Sequence, residues 1–256
     1  MNNNCLIVIP LYKYNLYDYE IISLKRTISL YSNKDYCNIM FLIPTNFDIP
    51  KLLNTYNIKI KYYRYFKFDD FYFTSTKEYN KIMLNQDFYI QLYDIFNYML
   101  ICQLDAYVFN DQLEYWMNKD YDYIGGYEGN LNIMGNFLLL QNKYQYSPNV
   151  DLNKLILMNG GFSLRKIDYC LNIIDTYENI INNIHLSAEN DILEDLLYSA
   201  CIYKYVNALD AIKFGYTYLL FDQIYQINNF ELPFGCHAFH KNVNLFNLVK
   251  EYDKLH

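Results

Sequence analysis

Hydrophobic positions along the chain fall into short blocks that alternate between a continuous and a helical pattern. Cys5 to Ile9 (CLIVI) is an unbroken apolar run closed by Pro10, the pattern of a strand buried on both faces. Ile21, Leu24, Ile28 and Tyr31 then recur at the spacing of one helix face. Asn38 to Ile43 (NIMFLI) predicts a second strand, again closed by a proline, Pro44, and Ile58 to Tyr63 (IKIKYY) alternates as a third. Strand, helix and strand with prolines after the strands is the cadence of βαβ units.

Phe66 to Thr76 is mixed aromatic and polar and reads as a loop. Lys77 to Phe96 predicts one long helix, with Ile82, Phe88, Leu92, Ile95 and Phe96 as core contacts. Tyr98 to Cys102 is the next buried strand. Asn110 is placed to cap a short helix, DQLEYWM. Asp122 to Ile124 is a brief strand running into Gly125 and Gly126, followed to Val150 by polar, irregular sequence apart from Asn136 to Leu140. Leu155 to Met158 leads into Asn159-Gly160-Gly161-Phe162-Ser163-Leu164-Arg165, and helices are expected at Ile167 to Asn182 and Asn190 to Tyr203. With no internal repeat and no low-complexity linker, one domain over residues 1–256 is the simplest reading.

Composition narrows the function classes. Hydrophobic residues make up 53%, yet no apolar run approaches the ~18 residues a membrane span needs. The N-terminus, MNNNCLIVIP, lacks the basic region of a signal peptide. The expected location is the cytoplasm, with room for association at the inner face of a membrane. A formal net charge of −7 argues against broad nucleic-acid binding. The six cysteines form no CxxC and several sit in apolar contexts, so they read as reduced core residues. The 31 tyrosines are too many to single out any one as a binding group.

The stretch Tyr98 to Phe109, YMLICQLDAYVF, carries the sharpest chemical signal. A buried strand ends there at Gln103 and Asp105, and a carboxylate in that position is costly to desolvate without a partner. Ligands of open α/β sheets bind beyond the carboxyl ends of the strands. A carboxylate there can hold a divalent cation, and the cation a diphosphate, so the stretch reads as the floor of a nucleotide-sugar site. Gln103-Leu104-Asp105 has the spacing of the acidic D-x-D signature with glutamine first. The plainer reading, that Asp105 caps the next turn, has about equal weight on this stretch alone.

Other residues are weaker on their own. Glu194-Asp195, with Glu189 and Asp191 nearby, can supply a general base, but a solvated helix face accounts for such a patch as well. His237 can ligate a metal, and a structural histidine is the commoner case; His240 competes with it, while His185 and His256 have no supporting context. Lys81 can reach a phosphate or stay an ordinary helix lysine. Arg165 can pair with a phosphate or with a buried acid such as Asp105 or Asp195.

Six segments in order join these signals: YNKIMLNQDFY from Tyr79, LICQLDAYVF from Leu100, LEYWMNKDYDYIGG from Leu113, NGGFSLRK from Asn159, EDLLYS from Glu194 and LPFGCHAF from Leu232. Together they resemble the DUF5672 family, glycosyltransferases with a GT-A-like fold. The resemblance covers roughly Lys77 to Lys241, and Cys5 to Tyr12 looks like the family's first strand. It implies a mostly parallel α/β sheet flanked by helices. It implies Asp105 at the metal and diphosphate position with Gln103 beside it, and His237 as a late-chain metal ligand. Asn159, Gly160 and Gly161 would line the sugar or acceptor side, and Asp195 or Glu194 would be the catalytic carboxylate. Pro10, Leu11 and Tyr12 would border the nucleotide base. The implied reaction moves a sugar from a nucleotide-diphosphate donor to a glycan or lipid-linked hydroxyl, assisted by Mn²⁺ or Mg²⁺, with inversion favoured, in surface polysaccharide or glycan synthesis.

The sequence departs from that family pattern in two places. YEGN follows YIGG where an Ala-Pro-Trp-like run is commoner, and LLYS follows Glu194-Asp195 where aromatics are commoner. Two rival readings stay open. A sugar nucleotidyltransferase is disfavoured because LYKYN, after the first strand, has no glycine. A non-catalytic nucleotide-sugar or glycan-binding module is kept alive by Gln103 in place of the first acid.

Overall fold

A computed structural model of the protein describes residues 4–129, 156–179, 181–182, 194–201, 204–219 and 221–256. Its centre is a mixed sheet of nine strands: β1 (Cys5–Pro10), β2 (Cys37–Pro44), β3 (Arg64–Phe68), β4 (Tyr98–Cys102), β5 (Ala106–Val108), β6 (Tyr123–Gly129), β7 (Leu157–Lys166), β8 (Gly215–Thr217) and β9 (Gly235–His237). Their spatial order is β3-β2-β1-β4-β7-β6-β8-β9-β5. The first four in that order run parallel, β7 runs antiparallel to both β4 and β6, and β5 antiparallel to β9.

The unbroken apolar runs account for the middle of this sheet. Every residue of β1 and β4 is buried, as in strands covered on both faces. The helix α1 (Asp18–Tyr31) buries Leu24, Ile28 and Tyr31, as its spacing predicts. The parallel register sets Cys5 against Tyr98 and Val8 against Ile101, so the carboxyl ends of β1 and β4 open onto the same edge. All six cysteines are buried, and none forms a disulfide. None of the described helices is long and apolar enough to cross a membrane.

Several elements differ from the sequence reading. The third strand is not Ile58 to Tyr63 but Arg64–Phe68, which pairs with β2 from Met40 to Pro44. The predicted loop from Phe66 therefore begins inside a strand, and it contains a 3₁₀ turn at Asp70–Phe73. The long helix is two, α2 (Ile49–Thr55) being followed by α3 (Thr76–Met83) and α4 (Gln86–Tyr93). The break falls at Asn85, whose side chain accepts a hydrogen bond from the Phe88 N–H and starts a fresh helix. Ile95 lies beyond that helix and is 48% exposed, whereas Phe96 is buried.

Asn110 does not cap the next helix, α5 (Leu113–Lys119); its side chain accepts from the Tyr252 hydroxyl instead. The strand predicted at Asp122 to Ile124 extends to Gly129. Of the two later helices, α6 spans Ile167–Thr176 and α7 spans Glu194–Cys201. Asn136 to Leu140, His185, Glu189 and Asp191 lie outside the described residues.

Candidate functional site

The carboxyl edge of β4 is where the polar residues converge. Gln103 follows the strand directly and its backbone N–H donates to the Gly161 carbonyl at 2.9 Å, which keeps the chain attached to β7 for one more residue. The chain then turns, and Asp105 leads into β5. Because β5 pairs with β9, Ala106 lies opposite His237. That register brings the His237 Nε2 to 3.2 Å from Asp105 Oδ1 and 3.2 Å from Gln103 Oε1. The Asp105 side chain stays 23% exposed, so the cluster opens to solvent.

The electrostatics around Asp105 are unusual for a half-buried acid. Burial pushes its carboxyl up, but His237, followed by His240 and Lys241, outweighs this and holds it at about 2. It is therefore an anion set among basic groups. His240 lies flat against Tyr19, ring centroids 4.2 Å apart, and Tyr12 reaches the same neighbourhood from the end of β1. Pro10 and Leu11 are buried, while Tyr12 is 44% exposed and stacked on Phe73. Lys241 escaped the sequence reading; basic residues at positions 237, 240 and 241, just after a buried strand, were the available signal.

A second cluster lies against the neighbouring glycine. Arg165 is fully buried, and its Nη2 donates to Glu194 Oε1 at 2.9 Å and to the Gly160 carbonyl at 3.1 Å. Its Nε donates to Ser163 Oγ, which in turn donates to the same carbonyl. Its guanidinium lies over the rings of Tyr123 and Tyr198. The partner of Arg165 is thus Glu194, not Asp105 or Asp195. Asp195 is buried beside this pair and accepts from the Gly160 N–H at 3.2 Å. Burial first, then the charges of Glu194 and Glu128, push its carboxyl well above the usual range.

Gly160 and Gly161 separate the two clusters. A Cβ on Gly160 would run into the Glu194 carboxylate, and one on Gly161 would overlap the His237 ring. They sit in a bulge, since the pairing of β6 with β7 jumps from Gly125↔Ser163 to Gly126↔Asn159. Asn159 closes the turn: its Oδ1 accepts from the Gly161 N–H at 2.7 Å and its Nδ2 donates to Glu128 at 2.8 Å. Lys81 is engaged locally, 2.6 Å from Glu78 and over the ring of Phe71.

Asp105, His237 and Gln103 are the residues of this edge that could hold a divalent cation. Among the described residues no three His, Cys, Asp or Glu side chains converge, so a cation held by Asp105 and His237 would need the Gln103 amide oxygen as a third donor. The two 3.2 Å contacts of His237 are a hydrogen bond to Gln103 and an ion pair to Asp105, which a bound cation would replace.

Residues 62–237 match the family described as a protein of unknown function, DUF5672. The chain belongs to the DUF5672 family. No curated protein matches it. Among solved structures, this DUF5672 protein is similar to the galactosyltransferase LgtC in complex with donor and acceptor sugar analogs, at 12% identity and a TM-score of 0.58, over 98% of this chain and 95% of that one. An active-site mutant of LgtC gives 12% identity and a TM-score of 0.60, over 98% and 94%. The DUF5672 chain therefore has a GT-A-like fold, a mostly parallel sheet flanked by helices.

Proposed function

We propose that the protein is a glycosyltransferase, moving a sugar from a nucleotide-diphosphate donor to a hydroxyl of a glycan or lipid-linked acceptor. The observation that carries this reading is the convergence of Gln103, Asp105 and His237 at the carboxyl edge of β4, in a fold shared with a galactosyltransferase. Asp105, His237 and the Gln103 oxygen would hold Mn²⁺ or Mg²⁺, which when bound supplies positive charge to the leaving diphosphate. His240 and Lys241 add local positive charge beside the same acid, suited to an anionic ligand. Pro10, Leu11 and Tyr12, at the adjoining end of β1, border the place for the base. Asn159, Gly160 and Gly161 form the wall between this edge and Asp195, and would line the sugar or acceptor side.

Asp195, or Glu194, is the candidate to accept the acceptor's proton. Asp195 is the better fit, because Glu194 is already committed to Arg165. A carboxylate whose pKa is pushed up is a stronger base than an ordinary one. The rival, a binding module without turnover, draws on the neutral Gln103 where a second acid would hold the cation more firmly.

The deciding experiment is a thermal-shift screen of nucleotide sugars with and without Mn²⁺, followed by assay of nucleoside diphosphate release. A ligand at ~100 times its dissociation constant adds ~2.7 kcal/mol to stability, which such a screen detects. Binding without release in the presence of acceptor glycans favours the module. Binding that survives in Asp105→Asn removes the site altogether.

A further inference from the structure

We propose that the outer face of β3, with the segment leading into it, docks on a bilayer that carries anionic lipids. Residues 58–68 read IKIKYYRYFKF: four of the chain's 21 basic residues, Lys59, Lys61, Arg64 and Lys67, fall here with no acid among them. The whole chain has a formal net charge of −7, so the stretch is a local reversal of sign. All four basic residues are exposed, and so are Tyr62 at 71% and Tyr65 at 57%. β3 stands at the end of the sheet's order, and its outer edge pairs with no strand among the described residues.

Lysines by themselves would only guard such an edge against pairing with another strand. Exposed rings set between them serve no such end, and the combination suits a membrane interface. There tyrosine rings settle at the headgroup level while long basic side chains reach the phosphates. The Asp69 and Asp70 carboxylates that close the stretch are taken up by the backbone N–H groups of Phe71 and Thr45. At the amino end of β3 a cleft of about 640 Å³ has Lys61, Tyr62 and Arg64 on its lining, with Asp35 the one acid there among the described residues. Lys34, which also lines it, is paired with Asp111 at 2.8 Å. The cleft is thus net positive and gives a lipid phosphate a concave seat beside the exposed face.

A single-stranded nucleic acid fits the same charge less well. It draws affinity from bases stacked on open rings. Here the Lys61 Nζ lies over the Tyr62 ring at 4.9 Å and the Lys67 Nζ over the Tyr65 ring at 5.9 Å, so each ring already carries a cation on one face. β4 lies three strands further in, roughly 14 Å from β3, which separates this face from the Asp105 cluster. The surface does not require the transfer reading.

Co-flotation with vesicles of three parts phosphatidylcholine to one of phosphatidylglycerol tests the proposal, with phosphatidylcholine alone as the reference. It is run in EDTA without donor, so its outcome is separate from that of the transfer reading. The expected result is binding to the anionic vesicles that high salt reverses, and none to the neutral ones. Each basic residue near an anionic surface strengthens binding about fivefold, so Lys59→Gln, Lys61→Gln and Lys67→Gln combined weaken it about a hundredfold. Neutralising Lys25, Lys250 and Lys254, exposed on α1 and on the helix Val243–Leu255, changes the net charge equally and costs less than about fivefold. Tyr62→Ser with Tyr65→Ser keeps every charge and weakens binding about fivefold. Circular dichroism of each variant should match the wild type. The proposal is overturned by no binding to the anionic vesicles, by equal binding to the neutral ones, by equal losses in the two triple variants, by undiminished binding in the ring variant, or by an oligothymidylate that binds where the vesicles do not.

Discussion

Gly161 gives up the space of a side chain to His237: a Cβ there would overlap the imidazole and lie 2.7 Å from the Gln103 oxygen. The glycine is required by this close approach. Gly161→Ala should displace the imidazole and weaken Mn²⁺ binding at least tenfold, read by the free Mn²⁺ signal in electron paramagnetic resonance. Far-UV circular dichroism should stay unchanged, and undiminished Mn²⁺ affinity would show that His237 is not a ligand.

Gln103 is the neutral member of the donor set, and Gln103→Glu changes its charge while keeping its reach. A negative charge ~4 Å from a unit positive charge contributes about 4 kcal/mol at an effective dielectric of 20. Even after desolvation costs, Mn²⁺ should bind at least tenfold more tightly in the variant. Isothermal titration checks this, and equal affinities would remove Gln103 from the site.

Asp195 accepts from Gly160 and lies against the Glu194–Arg165 pair. Loss of a general base typically costs ~10²–10⁴ in rate. Asp195→Asn should keep donor affinity and lose turnover by that factor in a diphosphate-release assay. A variant that turns over at the normal rate would end its candidacy.

Away from the site, Asp210 accepts from the Tyr121 hydroxyl at 2.6 Å and from Lys119 at 3.3 Å. Burial raises its pKa, but these partners outweigh it and hold the carboxyl below its ordinary value of 3.8. The folded protein therefore binds this proton less tightly than the unfolded chain does. Its contribution is full above the unfolded pKa and is lost as pH falls through the ordinary aspartate range. The midpoint of thermal unfolding should fall more steeply between pH ~5 and ~3 in the wild type than in Asp210→Asn. Parallel curves would count against the linkage.

How much of this was legible in the sequence depended on burial. Tyr98 to Cys102 ends where its apolar run ends, because a strand covered on both faces tolerates no polar residue until its edge. Arg64–Phe68 is largely exposed at the sheet's margin, so its composition carried no such signal, and the cleaner alternation at Ile58 to Tyr63 drew the assignment away. The helix break at Asn85 was hidden because apolar spacing continues across it while a single side-chain cap restarts the backbone. At the site, the spacing of Gln103 and Asp105 was visible locally. The pairing of Arg165 with Glu194 needed the packing of α7 against β7, which no local pattern encodes.

The side chains of the Asp105–His237 cluster are far apart in the chain. Gln103 and His237 are 134 positions apart. A nascent chain emerging from the ribosome therefore exposes both oxygens well before the imidazole has been translated. The cluster is therefore complete only once Gly235–His237 has been translated and paired with β5, and a protease nick that frees this strand would dismantle the cluster while leaving the β1–β4 half of the sheet in place.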